Sequence, residues 1–265
     1  MDLLRRPHAP LSAEAWKAID ETVLEMAKKT LAARRIATFD GPHGVDHLAV
    51  AQGTMSQRRT REGQAQVWVP DVVSLSEIRV PFSVPWAAFD AFERGAPALA
   101  ADPAEDAARE LALAEDRLVL YGEPGSEGFL SGKESPRLKV GDWAKPGQAL
   151  GDVVKAVERL DGLGIPGPYE LVLTPSRYFA WVRAAEHGYP TPRHLKELIT
   201  AAHRSAVIKD AGALFSTRGD DFVLTVGGDL AVGYRAHDRD AVHFFCVETI
   251  AAQTMTPEAV VILTA

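Results

Sequence analysis

The chain contains no asparagine among its 265 residues, which excludes N-linked glycosylation. It has one cysteine, Cys246, so no intrachain disulfide can form. Cys246 follows Phe244 and Phe245 in an apolar alternation, the setting of a buried, unreactive thiol. No uninterrupted apolar run approaches the roughly 20 residues that cross a bilayer. The opening Met1-Asp2-Leu3-Leu4-Arg5-Arg6-Pro7 lacks a signal-peptide core, so a soluble, cytoplasmic protein with no membrane partner is expected. A basic tail is missing as well. Acidic residues outnumber basic ones 36 to 29, a net charge of −7, which argues against nucleic acid as a partner.

Arrangements that do chemistry are scarce too. There is no Walker A sequence, no GxSxG elbow and no metal-ligand cysteine cluster. Gly162-Leu-Gly164-Ile-Pro-Gly167 is a literal GxGxxG, but a helical pattern precedes it and a strand pattern follows. That is the reverse of the order that places a pyrophosphate on a helix N-terminus. His43 and His47 are four apart, yet Gly41-Pro42 and Gly44 oppose the helix that would aim both at one metal. Ser216 with His237-Asp238 is the remaining triad candidate, and it places its histidine in the polar turn Arg235 to Asp240. No catalytic residue, no metal site and no enzyme activity are expected.

What is present is a core-forming pattern, with 46% apolar residues. Ser12 predicts the cap of a helix running to about Arg35, with Trp16, Ile19, Val23 and Met26 on one stripe. Val50 to Val73 reads as strand-like segments around a charged tip of Arg58, Arg59, Arg61 and Glu62. Asp102-Pro103-Ala104-Glu105 reads as a capped helix start, and the helix runs to about Tyr121. Gly122 to Gly147 reads as loop with short strands. Leu150, Val153, Val154, Val157 and Leu160 form a helical face, and Tyr169 to Thr174 a buried strand. Thr174-Pro175 and Thr191-Pro192 each predict a cap followed by proline in the first turn. Late in the chain, Phe222 to Val226, Leu230-Val232-Tyr234 and Val242-Phe244-Cys246 alternate as strands separated by Gly227-Gly228-Asp229 and a charged turn.

The order Gly227-Gly228-Asp229-Leu230, Gly233-Tyr234, a charged turn, an aromatic strand, Glu248-Thr249 and Pro257-Glu258-Ala259 resembles the C-terminal signature of the encapsulins. Collinear matches extend the resemblance over nearly the whole chain. They include Ala9-Pro10-Leu11-Ser12, Trp16, Arg34-Arg35, Gly41-Pro42 and Gly44, Arg79-Val80-Pro81-Phe82 and Asp90. Glu93-Arg94-Gly95, Glu115-Asp116, Gly167-Pro168-Tyr169 and Glu186-His187-Gly188-Tyr189-Pro190 follow in order. Each match is weak alone; their shared order carries the resemblance.

The resemblance implies an α+β fold of the tailed-phage major capsid type, with a peripheral domain, an apical domain and an extended arm. Residues 1–49 would hold the opening helix and the start of the peripheral domain, and 50–74 the intersubunit arm. The peripheral domain would continue over 75–134 with its spine helix, the apical domain would span 135–222, and 223–265 would return to the peripheral sheet. The implied function is a shell protein that self-assembles as sixty copies or a multiple. It would enclose a peroxidase or ferritin-like enzyme held through a C-terminal targeting peptide. Leu31, Arg34, Ile36, Leu230, Val232 and Tyr234 are the cargo-docking candidates, Arg34 through hydrogen bonds or charge. Thr38 stands where several relatives carry an acidic residue. Glu186, His187, Gly188 and Tyr189 are expected to line a five-fold pore. Some relatives hold a flavin against a tryptophan. Trp86 lies one residue from that position, so packing is its default role and flavin contact the alternative; no other cofactor is implied. The lack of asparagine also removes the Lys–Asn cross-link that hardens some phage capsids. The competing readings are a genome-packing viral or prophage capsid protein, which the acidic balance opposes, and a small hydrolase built on His237 and Asp238.

Overall fold

The structure is a computed structural model that describes residues 3–58, 63, 65–186 and 189–265. Helix α1 (Ala13–Thr30) starts where Ser12 Oγ accepts the Ala15 N–H, as its sequence predicts. Ala15, Ile19, Val23 and Ala27 form its buried stripe, with Trp16 and Met26 at the margin. It ends at Thr30 rather than at Arg35. The cause is Asp116, 84 residues away, whose carboxylate takes the backbone N–H groups of Ala32 and Ala33 at 2.9–3.2 Å. Those donors would otherwise have continued the helix.

Strand β1 (Thr38–Asp40) follows, and then the hairpin of β2 (Ala49–Arg58) and β3 (Val67–Ser74). Almost every residue of this hairpin is exposed or only partly covered, Val73 being the buried exception. Arg58 closes β2; Arg59, Arg61 and Glu62 of the expected tip lie outside the described residues. Strand β4 (Ser76–Pro85) leads directly into α2 (Trp86–Glu93), and α3 (Asp102–Tyr121) is the long central helix. Asp102 does not cap α3. Ala101 holds that position, and its carbonyl receives the N–H groups of Ala104 and Glu105, since Pro103 has none to give. At the other end Gly122 has φ +73°, and a Cβ there would lie 2.1 Å from the Ser126 carbonyl oxygen, so only glycine fits.

Short strands β5 (Gly122–Glu123), β6 (Ser126–Glu127) and β7 (Arg137–Lys139) occupy the expected loop region. Then come α4 (Gln148–Gly162), β8 (Tyr169–Leu173), α5 (Pro175–Arg183), β9 (Ala185–Glu186), β10 (Tyr189–Pro190), α6 (Thr191–His194) and β11 (Ile199–Arg204). Thr174 caps α5 through its hydroxyl as expected. Thr191 does not cap α6: Pro190 stands at the cap, and Thr191 Oγ1 is buried without a hydrogen-bond partner. The chain finishes with β12 (Gly212–Ser216), β13 (Phe222–Val226), β14 (Ala231–His237), β15 (Ala241–Thr254) and β16 (Val260–Thr264).

Two five-stranded sheets result. In the first, β1, β13, β15 and β14 are neighbours in that order, and β4 runs along the other side of β15. Register places Val242 opposite Val84, Phe244 opposite Phe82 and Cys246 opposite Val80. Those six side chains face a core shared with Ile19, Val23, Phe89 and Leu111. The second sheet has the order β11, β8, β12, β16, β7, with α4 packed on β12 and β16 and α5 on β8 and β11. Here a domain expectation is corrected. The last strand leaves the sheet of β13–β15 and pairs with β12 and β7, so residues 260–264 do not belong to the peripheral sheet to which 223–265 was assigned.

Candidate functional site

The residues expected to dock cargo centre on Arg34, on the short turn between α1 and β1. Its guanidinium donates to three carboxylates: Nε to Glu115 Oε1 at 2.7 Å, Nη1 to Asp229 Oδ1 at 2.9 Å and Nη2 to Glu248 Oε2 at 2.8 Å. Glu115 lies on α3, Asp229 in the turn before β14 and Glu248 on β15, so one side chain ties three elements together. Glu115 and Glu248 have fully buried side chains, whereas Asp229 is 45% exposed. The second oxygens, Glu115 Oε2 and Glu248 Oε1, are buried without a conventional partner. Burial and the neighbouring Glu115 charge raise the pKa of Glu248 well above the usual carboxylate range, against the pull of Arg34. Next to it on α3, burial pushes Asp116 up to about 6, while the Ala33 and Ala32 N–H groups pull the other way.

Sequence reasoning gave this arginine to the cargo; the structure uses it inside the subunit. Among the other docking candidates, Leu31 and Leu230 are half-buried and available, while Ile36 and Val232 are core residues. Tyr234 is also buried, with its hydroxyl 2.6 Å from His237 Nδ1. The backbone of β14 is engaged as well: the Tyr234 N–H donates to the Leu4 carbonyl, and Arg6 Nε donates to the Val232 carbonyl. Arg6 is itself fixed by a two-pronged pair with Asp20 and by stacking on Trp16. One residue of this face was missed. Phe39 on β1 is 42% exposed, with the Arg34 guanidinium carbon 5.6 Å from its ring centre. Its strand pairs only with β13 among the described residues, leaving the outer edge of β1 open. Thr38 directs its hydroxyl to the Gly219 carbonyl.

At the expected pore loop, Glu186 and Tyr189 pair across the two-residue strands β9 and β10. His187 and Gly188 lie outside the described residues. Trp86 opens α2, where its indole N–H donates to the Asp238 carbonyl at 2.9 Å and its ring meets Phe89 and His237 edge-on. The ring has a packing role, and with its N–H engaged it offers a flavin no hydrogen bond.

The rejected chemistry stays apart. Ser216 is buried in the second sheet with its hydroxyl on the Pro166 carbonyl. Asp238 pairs with His243 at 2.8 Å instead of with His237, and His243 meets Ser83 at 2.7 Å across the exposed face of β4 and β15. His43 and His47 rings lie 4.8 Å apart, with His43 bonded to Asp40, but no group of three or more metal-ligand side chains exists among the described residues. The GxGxxG segment joins the end of α4 to β8, the order that precludes a dinucleotide site. Burial, followed by the charges of Glu248 and Asp20, pushes the Cys246 thiol up to about 12. No described helix is long and apolar enough to cross a membrane.

Comparison with solved structures defines the class first. The fold is similar to the virus-like particle protein of Pyrococcus furiosus, with a TM-score of 0.70 and 20% identity over 95% of this chain and 100% of that one. It is also similar to the capsid of Mycobacterium phage Che8, with a TM-score of 0.56 and 11% identity over 88% and 91% of the two chains. These place it among proteins of the tailed-phage capsid fold. Residues 1–251 match the family model Linocin_M18, described as encapsulating protein for peroxidase. The type 1 encapsulin shell proteins of Rhodococcus erythropolis and Brevibacterium linens are 34% and 32% identical, covering 99% and 98% of this chain and 100% and 98% of their own. The chain belongs to the encapsulin family of shell proteins.

Proposed function

We propose that the protein closes into an icosahedral shell of sixty copies or a multiple and encloses a cargo enzyme. The observation that carries this reading is the β2–β3 hairpin. Ten and eight residues long, it leaves Met55, Val67, Trp68 and Val72 each about half exposed and has almost no core of its own. A two-stranded ribbon is marginal alone, and pairing with a neighbouring copy would cover these side chains. The sheet of β1, β13, β15, β14 and β4 with α1 and α3 would serve as the peripheral domain. The sheet around β8 and β12 would serve as the apical one.

The cargo is a peroxidase or a ferritin-like enzyme, held through its C-terminal peptide; the family's description favours the former. The open edge of β1, with Phe39 and Leu31 nearby in sequence and Leu230 beside the Arg34–Asp229 pair, supports docking of an extended apolar peptide. Leu230→Asp tests it: in co-expression with a peroxidase bearing such a peptide, shells should form normally while loading falls about tenfold. That fall corresponds to losing roughly the burial of one leucine side chain. Unchanged loading would remove this face from the reading.

The turn carrying Glu186 would ring a pore, repeated around a symmetry axis. There five carboxylates would concentrate cations. Glu186→Gln is then expected to slow divalent-cation entry roughly tenfold at low salt. An unchanged entry rate in stopped-flow measurements would sink the electrostatic gate.

A further inference from the structure

A notch of about 320 Å³ opens between the end of α1 and strand β11. It is lined by Lys29, Leu31, Arg35, Tyr178, His203 and Arg204, together with Ala202. Three permanent cations therefore border one concavity, and no carboxylate lines it. The groove between α1 and α2 shows the contrast: there Glu14, Glu21, Glu25 and Glu105 interleave with Lys17 and Lys29. On a chain of net charge −7, the notch reverses the local sign.

The cations are also poorly neutralised. Arg204 is exposed, lies over the Phe179 ring at 5.8 Å and forms no ion pair among the described residues. Among the described residues Arg35 donates to backbone carbonyls alone, Nε to Leu31 and Nη2 to Lys28, which steadies the guanidinium at the mouth without an ion pair. Lys29 reaches Glu25 at 3.4 Å, an exposed contact of little strength. A second carboxylate, Glu170, is engaged by His203 at 2.6 Å. Like charges held together in this way repel, and an anion between them removes the repulsion.

We infer that the notch binds a phosphate-type oxyanion, free or on a small molecule. Near neutral pH phosphate carries between one and two negative charges and presents several acceptor oxygens. Guanidinium groups match such oxygens in two-pronged fashion, and Lys29 adds a point charge. Tyr178 forms part of the same wall. A short notch takes one anionic group; a nucleic-acid backbone would need a basic stripe, which the overall acidic balance does not provide.

The test is calorimetric titration of inorganic phosphate into the full-length protein, in whatever assembly state it adopts, at pH 7.5 and constant ionic strength. Saturable binding at one site per subunit is expected, weakened about tenfold or more by Arg204→Gln. Arg204 is exposed and unpaired, so that variant should melt at the parent temperature. Arg35→Gln should weaken binding similarly. Absence of saturable binding, or equal affinity in parent and both variants, would overturn the site. Tighter binding of a single-stranded oligonucleotide than of inorganic phosphate, lost in the same variants, would also overturn it and assign the notch to nucleic acid.

Discussion

Replacing residues 50–74 with a short glycine–serine turn is expected to yield a folded subunit that no longer closes into shells. The subunit should survive because the hairpin is joined at its base, where the Leu75 N–H donates to the Leu48 carbonyl at 2.9 Å. A turn can bridge that point, and Val73 is the one buried side chain among the hairpin's described residues. Assembly should fail because Met55, Val67, Trp68 and Val72 then have nothing to offer a neighbour. Fully burying each would contribute about 1.5–3 kcal/mol, so the loss per subunit is on the order of 5 kcal/mol even with half of each already covered. Every subunit contributes one arm, and a closed shell repeats the deficit at each contact. Size-exclusion chromatography with light scattering would show monomers or small oligomers of normal circular dichroism. Intact shells from the deletion variant would show that the arm is not what joins the copies.

Arg34→Ala should cost the subunit about 3–5 kcal/mol at neutral pH, because it leaves two buried carboxyl groups without their shared cation. That is a large fraction of the roughly 5–15 kcal/mol by which domains of this kind are stable. The cost should shrink as pH falls, because Glu248, whose pKa burial raises, takes up a proton instead. Glu248→Gln supplies the opposite control. A group whose pKa is raised on folding contributes stability at low pH, which is lost as pH rises from the unfolded value of 4.5 through the raised folded one. Glutamine copies the protonated shape without needing the proton. The variant should match the parent near pH 5 and melt several degrees higher near pH 8. Denaturant titrations at both pH values measure the Arg34→Ala cost, and thermal melts at both pH values measure the Glu248→Gln effect. A cost below about 1 kcal/mol for Arg34→Ala, or a lower melting temperature for Glu248→Gln at pH 8, would mean the network is not as described.

Much of the scaffold was legible because burial leaves a period in the sequence. The stripe of Ile19 and Val23, the α4 face of Val153, Val157 and Leu160, and the alternation Val242-Phe244-Cys246 all point into cores. What was not legible depends on residues distant in the chain. Nothing near Thr30 says that α1 ends there, because the competing acceptor is Asp116. Glu115 and Glu248 stood out as shared motif residues, but only the fold brings both to Arg34. The apolar run Val260–Thr264 is plainly a strand, yet its composition does not choose between two sheets. The caps expected at Asp102 and Thr191 fall one residue earlier, at Ala101 and Pro190, whereas Thr174, also followed by proline, does cap its helix. Phe39 escaped notice because a single aromatic in a three-residue edge strand has no periodicity to mark it.

The most direct measurement is electron microscopy of the purified full-length protein expressed alone. The shell reading predicts uniform hollow particles of icosahedral symmetry, with the β2–β3 hairpin of each copy lying on its neighbour. A monodisperse monomer or small oligomer across a range of salt and pH would contradict it, leaving a capsid-type fold that does not build a compartment.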